Sequence, residues 1–336
     1  MLIAAGVILL IVAAGWLYQL SGTARDRRRF PLPGRLVDIG GLRLHLLESG
    51  AGHPPVILEA GIAASCLNWT SIQAELARST RVCSYDRAGL GWSDPPSSPR
   101  TVSNAVDDLH ALLTAAQIPP PFILTGHSFG GLLVRCYATQ YPEQVAGLVL
   151  LDPLAATEWL TPSDAQRKTL KRGAMLSRRG ATLARFGVVR LGLATLASGL
   201  RFIPKLVARA ASSGTGESAI SRLVREVQKM PPETWPIVQA HWCQPKSFLA
   251  MANYLESLPA SASQASALGQ PPAHIPITII SASNSTAAQL AERDAIAHHS
   301  LHGKHIIATK SGHWVHFDEP DLVLQAIREM AAPLNT

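Results

Sequence analysis

Cysteine is scarce in this chain of 336 residues, and its few cysteines follow no recognisable pattern. There are four, with no Cys-x-x-Cys pair and no spacing that combines cysteine with histidine. This distribution fits neither a zinc site nor the disulfide framework of a small secreted domain. A chain of this length also has enough interior to fold without cross-links. We therefore interpret the four as buried free thiols: Cys66, Cys83, Cys136 and Cys243.

Charged residues are also few. They make up 16% of the chain against 47% hydrophobic residues, a balance that favours contact with lipid over a freely soluble surface. The net charge of +7 is compatible with nucleic acid, but the sequence has no zinc finger, no aromatic RNA-binding strand motif and no lysine-rich tail. We therefore expect no nucleic-acid partner. A cationic protein beside an anionic bilayer is the simpler interpretation.

The N-terminal segment, residues 2–20, has no charged residue at all. About 19 residues in a helix match the ~30 Å hydrocarbon thickness of a bilayer, so residues 1–20 are predicted to be a transmembrane anchor. A cleaved signal peptide is the alternative, since Gly22, Thr23 and Ala24 are small residues suited to cleavage. Four arginines between Arg25 and Arg29 follow the apolar run and favour a cytoplasmic location for the rest of the chain.

The remaining sequence alternates between strand-like and helix-like segments. Residues 36–39 and 42–47 predict a hairpin around Gly40 and Gly41. Short apolar runs then alternate with segments of helical spacing, which indicates an α/β fold with a mostly parallel, doubly wound sheet. Residues 155–270 contain no convincing strand. We therefore predict a basic linker at 21–34, a core at 35–154, an inserted helical cap lobe at 155–270 and the rest of the core at 271–336.

One segment carries most of the chemical information. An apolar strand, residues 122–124, leads into Gly126, His127, Ser128, Phe129 and Gly130 and then into a helix. A serine on a sharp turn between strand and helix needs small neighbours two residues away on each side, and the start of the helix directs backbone N–H groups at developing negative charge. Ser128 is therefore the candidate nucleophile.

This segment resembles the nucleophile elbow of the α/β-hydrolase fold family. The resemblance extends to residues 58–62, which are similar to the loop after the third strand, and to residues 85–94, which resemble the family's Asp-x-Arg-Gly loop and for which we expect a structural role. It implies an α/β-hydrolase fold and an oxyanion hole formed by the backbone N–H groups of Ile62 and Phe129. The resemblance covers nearly everything from about Arg35 onwards except the lobe.

His313 is the candidate general base. It follows the last apolar strand and precedes the final predicted helix, as the catalytic histidine of the family does. A histidine in that loop can reach a serine at the end of a central strand, because both lie at the carboxyl edge of the sheet. Without a base the serine hydroxyl is a weak nucleophile at neutral pH. His316 is the alternative.

The acidic partner is missing from its commoner place in the family. The strand after the lobe is followed by residues 281–285, which include no Asp or Glu. Asp152, at the end of the strand before the lobe, occupies the position that some family lipases use, and we assign it as the third catalytic residue. The alternatives are a capping role for Asp152, Asn284 as a neutral partner of the histidine, and Glu292 or Asp294 from the next helix.

The lobe combines basic and apolar residues at helical spacing. Such a segment lies either at a membrane interface or on the core with its arginines in water. The arginines and lysine concerned are Arg178, Arg179, Arg185, Arg190, Arg201, Lys205 and Arg209. Aromatic and sulfur-containing residues further along are candidates for a substrate pocket, although core packing is their commoner role: Trp235, Trp242, Phe248, Met251 and Tyr254.

The sequence thus predicts a serine hydrolase that cleaves a carboxylic ester, with a lipid-like substrate as the first hypothesis, and that uses no metal or organic cofactor. The family also contains cofactor-free haloperoxidases and carbon–carbon hydrolases with the same serine, histidine and acid. A protein that keeps the fold only to bind a ligand or a partner is a further alternative, since the expected carboxylate after residue 280 is absent. Epoxide hydrolases and dehalogenases are disfavoured because their elbow nucleophile is aspartate.

Overall fold

The computed structural model describes residues 2–197 and 228–332. The part of the predicted basic stretch that includes Arg201, Lys205 and Arg209 lies outside the described residues. Within the described ranges the chain forms one sheet with helices on both faces and a helical lobe at one edge. This architecture confirms the predicted α/β fold with a mostly parallel, doubly wound sheet.

The first helix, α1, runs without interruption over Leu2–Arg29. It is long and apolar enough to cross a membrane, and most of its apolar side chains are exposed. The helix does not stop where the apolar run ends. The predicted basic linker, residues 21–34, is therefore helical over its first nine residues. Three arginines, Arg27, Arg28 and Arg29, form the last turn of the helix.

Eight strands form the sheet in the order β1-β2-β4-β3-β5-β6-β7-β8. The first two form the predicted antiparallel hairpin, β2 pairs antiparallel with β4, and β3 to β8 run parallel. The strands are β1 Arg35–Asp38, β2 Arg43–Ser49, β3 Val56–Glu59, β4 Val82–Asp86, β5 Phe122–His127, β6 Val145–Leu151, β7 Ile277–Ala282 and β8 Lys304–Ala308.

Helices cover the sheet because its central strands are apolar on both faces. Every residue of β3, β4, β5 and β7 is buried. Residues of α3, α4 and α10 share a core with one face, and residues of α2 and α12 share a second core with the other. These helices are α2 Thr70–Leu76, α3 Val102–Ala115, α4 Phe129–Gln140, α10 Ala287–His299 and α12 Pro320–Ala331; the short α11 Val315–Asp318 precedes α12.

The described residues of the lobe form helices joined by short turns and contain no strand, in accordance with the sequence pattern. It leaves the sheet at the carboxyl end of β6 and returns before β7, and its residues Ala250 and Tyr254 pack beside Gly89 and Phe129 at the carboxyl edge of the parallel strands. Its longest helices, α6 and α9, pack against each other. The lobe helices are α5 Thr157–Leu160, α6 Asp164–Arg185, α7 Val188–Ala197, α8 Trp235–Trp242 and α9 Pro245–Leu268.

Candidate active site

The turn between β5 and α4 holds Ser128 in a strained backbone conformation. Its φ of 55° and ψ of −119° lie where residues with a side chain are rarely found. The glycines around it are required by space. A Cβ atom on Gly126 would lie 2.4 Å from the Gly130 carbonyl oxygen, and one on Gly130 would lie 2.5 Å from the carbonyl oxygen of Glu59. The motif therefore forms a tight elbow that presents Ser128 at the carboxyl edge of the sheet.

His313 and Asp152 meet at the same edge. Asp152 follows β6 directly with a φ of 39°, and His313 lies in the loop after β8. The imidazole donates from Nδ1 to Asp152 Oδ2 over 2.5 Å, which leaves Nε2 as the nitrogen able to take a proton. The His313 side chain is 47% exposed, so one side of the ring remains accessible to a substrate.

The other oxygen of Asp152 is held by three donors. Oδ1 accepts from the Ala282 backbone N–H over 3.0 Å, from the Ser285 hydroxyl over 3.1 Å and from the Arg293 guanidinium over 2.6 Å. Burial raises the pKa of the Asp152 carboxyl, but the His313 hydrogen bond and the Arg293 charge outweigh it and hold that pKa below its ordinary value. Asp152 is therefore an ionised carboxylate in a fixed orientation.

The alternative acids lie in other surroundings. Asn284 is exposed. Glu292 accepts hydrogen bonds from the backbone N–H of Ala156, over 2.9 Å, and from Thr157 at the start of the lobe. Asp294 faces the His305 ring at 3.3 Å. None of the three takes the place beside His313 that Asp152 occupies.

Backbone hydrogen bonds hold Ser128 beside Asp152. Its N–H donates to the Leu151 carbonyl over 3.0 Å, and its carbonyl accepts from the Leu154 N–H over 3.0 Å, so it is bound to both sides of Asp152. Within the described residues the Ser128 hydroxyl makes no hydrogen bond. Contacts between nucleophile and base are often long in the absence of substrate and shorten when one binds.

His127 connects the elbow to the loop of His313, a role that no sequence pattern indicates. Its Nε2 lies 2.8 Å from the His313 carbonyl oxygen, and a carbonyl only accepts, so Nε2 carries the proton. Burial, and then the neighbouring His313 and His316 imidazoles, lower the pKa of His127 well below its ordinary value. The ring is therefore neutral and serves as a fixed donor.

His316, the alternative base, is fully enclosed. It packs against Trp69 with ring centroids 4.8 Å apart, and burial lowers its pKa to about 3. It therefore stays neutral at physiological pH. Because His313 and not His316 is hydrogen-bonded to Asp152, the geometry favours His313 as the base.

The loop after β3 is held from behind by a buried ion pair. Arg87 donates to the Glu59 carboxylate, and Tyr85 donates to the other oxygen of the same carboxylate. Arg87 also donates to the carbonyl of Ala60, over 2.6 Å, and to that of Gly61. The four hydrogen bonds fix the backbone of this loop.

The Arg87 contacts also orient the peptide between Gly61 and Ile62. In a trans peptide the C=O and the N–H point in opposite directions. Because the Gly61 carbonyl points at Arg87, the Ile62 N–H points to the opposite side. A Cβ atom on Gly61 would lie only 3.5 Å from Ser128 Cβ, so this peptide borders the elbow. The N–H of Phe129, in the first turn of α4, has no acceptor within its own helix.

Three residues of the neighbouring scaffold could in principle hold a metal ion. The ligand atoms of His45, Cys66 and Asp86 lie within 4.8 Å of one another. The Asp86 carboxylate is already engaged, because it accepts from the Cys66 N–H over 2.8 Å, from the Trp92 N–H over 3.0 Å and from His45 Nδ1 over 2.8 Å. This pattern favours a structural role, as expected for the loop that begins at residue 85.

The aromatic residues proposed for the pocket lie in different parts of the lobe. Tyr254 is buried with its ring 5.3 Å from that of Phe129, directly behind the elbow. Trp242 and Phe248 pack on each other with centroids 5.4 Å apart, while Trp235 is 37% exposed. Tyr254 is therefore the one of these four that packs directly against the elbow.

Comparison with known proteins assigns the fold to a family. The profile described as alpha/beta hydrolase fold matches residues 54–320. A segment of 132 residues is 33% identical to the 2-hydroxy-6-oxo-2,4-heptadienoate hydrolase of Pseudomonas putida, covering 38% of this chain and 47% of that enzyme. The chain spans less than half the length of the curated relatives it matches.

Solved structures with the same fold cover most of the chain. A thermophilic esterase from Thermogutta terrifontis superposes with a TM-score of 0.58 at 20% identity, over 89% of this chain and 99% of the esterase. The enol-lactonase from Burkholderia xenovorans superposes with a TM-score of 0.58 at 18% identity, over 88% of this chain and 99% of the lactonase. At these identities the likeness concerns the fold.

Proposed function

The chain belongs to the α/β-hydrolase fold family, and on that premise we propose that it is a serine hydrolase that cleaves carboxylic esters through an acyl-enzyme on Ser128. The observation that carries the proposal is the hydrogen bond of 2.5 Å between His313 Nδ1 and an ionised Asp152, at the sheet edge where the elbow presents Ser128. A hydrogen-bonded histidine and acid beside a strained serine form the arrangement that activates a hydroxyl for attack.

The first half of the reaction forms the acyl-enzyme. His313 Nε2 takes the hydroxyl proton as Ser128 Oγ bonds to the carbonyl carbon of the ester. The carbonyl oxygen becomes an oxyanion and accepts hydrogen bonds from the Ile62 and Phe129 N–H groups. The bond to the alcohol then breaks, and the proton on His313 passes to the departing alkoxide. Asp152 stabilises the imidazolium formed between these steps.

The second half returns the enzyme to its starting state. Water gives a proton to His313 Nε2 and adds its oxygen to the acyl carbon, again with the oxyanion held by the two N–H groups. The bond to Ser128 Oγ breaks, the serine recovers its proton from His313, and the carboxylic acid leaves. Each proton that the imidazole accepts is released in the same half-reaction, so no cofactor is required.

A carbon–carbon hydrolase is the second candidate, because the Pseudomonas putida relative is named for hydrolysis of a 2-hydroxy-6-oxo-dienoate. The likeness covers 38% of this chain and 47% of that enzyme, so most of this chain has no matched counterpart in it. We give the ester hydrolase priority because the exposed apolar surface of the chain suits lipid-like esters, for which a membrane location brings substrate and site together.

We further propose that α1 is an uncleaved anchor with the catalytic domain on the cytoplasmic side. The helix is long and apolar enough to span a bilayer, and its arginine-rich end favours the cytoplasmic face. The residues suited to signal cleavage, Gly22, Thr23 and Ala24, lie inside the continuous helix, and Gly22 is buried against the lobe. Cleavage there would remove a helix that packs on the folded domain.

The serine chemistry is tested by covalent labelling. Purified full-length protein is incubated with a fluorophosphonate probe, and Ser128→Ala serves as the matched control. We expect stoichiometric labelling of the wild type and none of the control. Unlabelled wild-type protein would instead support a ligand-binding member of the fold.

The substrate class is tested by two substrate panels. p-Nitrophenyl esters of rising chain length are compared with a 2-hydroxy-6-oxo-dienoate. We expect kcat/KM to rise with acyl length and the dienoate to be a poor substrate. A clear preference for acetate among the esters contradicts the lipid-like substrate, and faster turnover of the dienoate assigns the chain to the carbon–carbon hydrolases.

A further inference from the structure

One face of α1 is packed on the lobe. The residues on this face are Gly15, Gln19, Gly22 and Asp26, whose spacing of four, three and four places them on one side of the helix. Gln19 is only 5% exposed, in a helix whose large apolar side chains are mostly exposed. The structured contact therefore begins inside the apolar run and continues into the arginine-rich end.

Polar contacts fix this face to two parts of the lobe. Gln19 Nε2 donates to the Cys243 carbonyl over 2.8 Å, and Gln19 Oε1 accepts from Arg190 Nε over 3.1 Å. Arg190 also forms an ion pair with Asp26 at 2.7 Å. A glutamine in an apolar environment is costly unless its amide is hydrogen-bonded. Docking on the lobe satisfies both ends of the Gln19 amide.

The backbones of α1 and the lobe also approach closely at two glycines. A Cβ atom on Gly15 would lie 2.5 Å from the Phe186 carbonyl oxygen. Gly187 has a φ of +73°, and a Cβ atom there would lie 2.7 Å from the Tyr18 ring and 2.9 Å from the Gly15 carbonyl oxygen. The contact therefore has the close packing of a helix interface that depends on small residues.

For an α1 that spans a membrane, this contact sets the depth of part of the lobe. If residues 2–20 fill the hydrocarbon layer, Gly15 lies five residues, or about 7 Å, inside its boundary. The segment that touches Gly15, at the junction of α6 and α7, must lie at a similar depth. Amphipathic helices at a bilayer surface insert their apolar face by about 5–10 Å.

The same segment exposes apolar side chains. We define residues 183–191 as the lobe tip. Leu183, Val188 and Leu191 are 46%, 44% and 51% exposed, and they lie on the segment that contacts α1. These three side chains lie within four residues of the turn at Phe186 and Gly187 that packs beside Gly15 and Tyr18, so the bilayer that surrounds α1 is the natural occupant of this surface. The exposed Arg185 of the same segment is suited to the charged headgroups.

We propose that the lobe tip is inserted in the bilayer interface and that α1 is a rigid support docked on the lobe rather than a flexible tether. The inference rests on the proposed membrane insertion of α1 and is independent of the proposed chemistry. It fixes the orientation of the catalytic domain, because the lobe also lies at the sheet edge that carries Ser128. Apolar substrates then reach the site from the bilayer.

Site-specific fluorescence measures the depth of the tip. An environment-sensitive thiol probe is attached to Leu191→Cys in the full-length chain, which is reconstituted in phosphatidylcholine–phosphatidylglycerol vesicles containing nitroxide-labelled lipid. The four native cysteines are buried, so the introduced thiol is the one available to the probe. Leu301→Cys is the control, because Leu301 is 75% exposed and lies before β8 at the opposite edge of the sheet. Leu9→Cys reports insertion of α1.

We expect strong quenching at positions 9 and 191 and several-fold weaker quenching at 301. Quenching at 9 with position 191 resembling 301 overturns the proposal and leaves the anchor intact. The absence of quenching at 9 overturns both. A second copy of the chain on this surface would shield the probe at position 191 from the nitroxide-labelled lipid. Quenching at position 191 that is weak at high protein density and rises when the protein is diluted below one chain per vesicle shows such a copy, and also overturns the proposal.

A matched pair of glycine variants tests the rigid support. Gly15→Leu keeps α1 apolar but places a side chain against the Phe186 carbonyl, whereas Gly6 has no atom within 4 Å of the corresponding position. Gly15→Leu should reduce quenching at position 191 to the level of 301, and Gly6→Leu should not change it. Equal quenching at position 191 in the two variants contradicts the proposal that α1 is a rigid support docked on the lobe. The Tm of each variant, measured by circular dichroism against the wild type, verifies that the catalytic domain is folded.

Discussion

Asp152→Asn is the variant for which the hydrogen bonds of the site make the most specific prediction. Oδ1 of Asp152 accepts from three donors, Ala282, Ser285 and Arg293, while Oδ2 accepts from His313 alone. The amide oxygen of an asparagine must take the first position, since an NH₂ group there would face donors. Its NH₂ group then faces His313 Nδ1.

That arrangement imposes the wrong tautomer on the histidine. A donor opposite Nδ1 requires Nδ1 to be unprotonated, so the proton moves to Nε2, which can no longer accept the serine proton. We expect kcat to fall ~10⁴-fold with little change in KM, which corresponds to about 5 kcal/mol of lost transition-state stabilisation. The measurement is steady-state turnover of a p-nitrophenyl ester, with the Tm of each variant recorded alongside.

Two charge-matched variants serve as controls. Glu292→Gln and Asp294→Asn remove the carboxylates that the sequence left as alternatives, and both should stay within about threefold of the wild-type kcat because neither contacts His313. If Asp152→Asn keeps more than a tenth of the activity, or if Asp294→Asn abolishes it, the assignment of the acid is refuted.

Three further variants examine the surroundings of the site. Arg87→Lys loses the planar donor pair that holds the Ala60 and Gly61 carbonyls, so kcat should fall roughly 10- to 100-fold while KM changes little; an unchanged kcat contradicts the orienting role. His127→Phe removes the donor to the His313 carbonyl and should lower kcat about tenfold, with partial recovery in His127→Gln; equal losses in both variants contradict it. Burial lowers the pKa of His316 to about 3, against ~6.5 when unfolded, so unfolding takes up a proton and stability is lost as the pH falls below about 6.5. When the pH is lowered from ~6.5 to ~4.5, the free energy of unfolding, measured by denaturant titration, should fall by about 2–3 kcal/mol less in His316→Phe than in the wild type. An equal fall in the two proteins contradicts a neutral buried imidazole.

The fold and the elbow around Ser128 can be predicted from local sequence. The apolar runs that fill both faces of the sheet define the strands, and the turn around Ser128 is recognisable because Gly126 and Gly130 are required within five residues of chain. His313 follows from its place after the last strand. Asp152 follows from the resemblance: residues 281–285, at the end of β7 and directly after it, contain no Asp or Glu, and Asp152 occupies the alternative position that some family lipases use for the acid.

The supporting contacts could not be predicted because they join distant parts of the chain. Arg293 lies 141 positions from Asp152, and His127 lies 186 positions from His313. Sequence gives no signal for such pairs when their partners are backbone carbonyls or shared carboxylate oxygens. The docking of α1 has a faint signal, a glutamine between two glycines inside an apolar run, but the segment that it contacts is more than 160 residues away.

The central claim is that Ser128 becomes acylated during turnover, and the burst phase of a p-nitrophenyl ester measures this directly. Rapid mixing of excess ester with the full-length protein should release about one p-nitrophenolate per chain before the steady state, and peptide mapping of the acid-quenched sample should find the acyl mass on the peptide that contains Ser128. Turnover without an adduct on that peptide, or with one that persists in Ser128→Ala, would contradict the account.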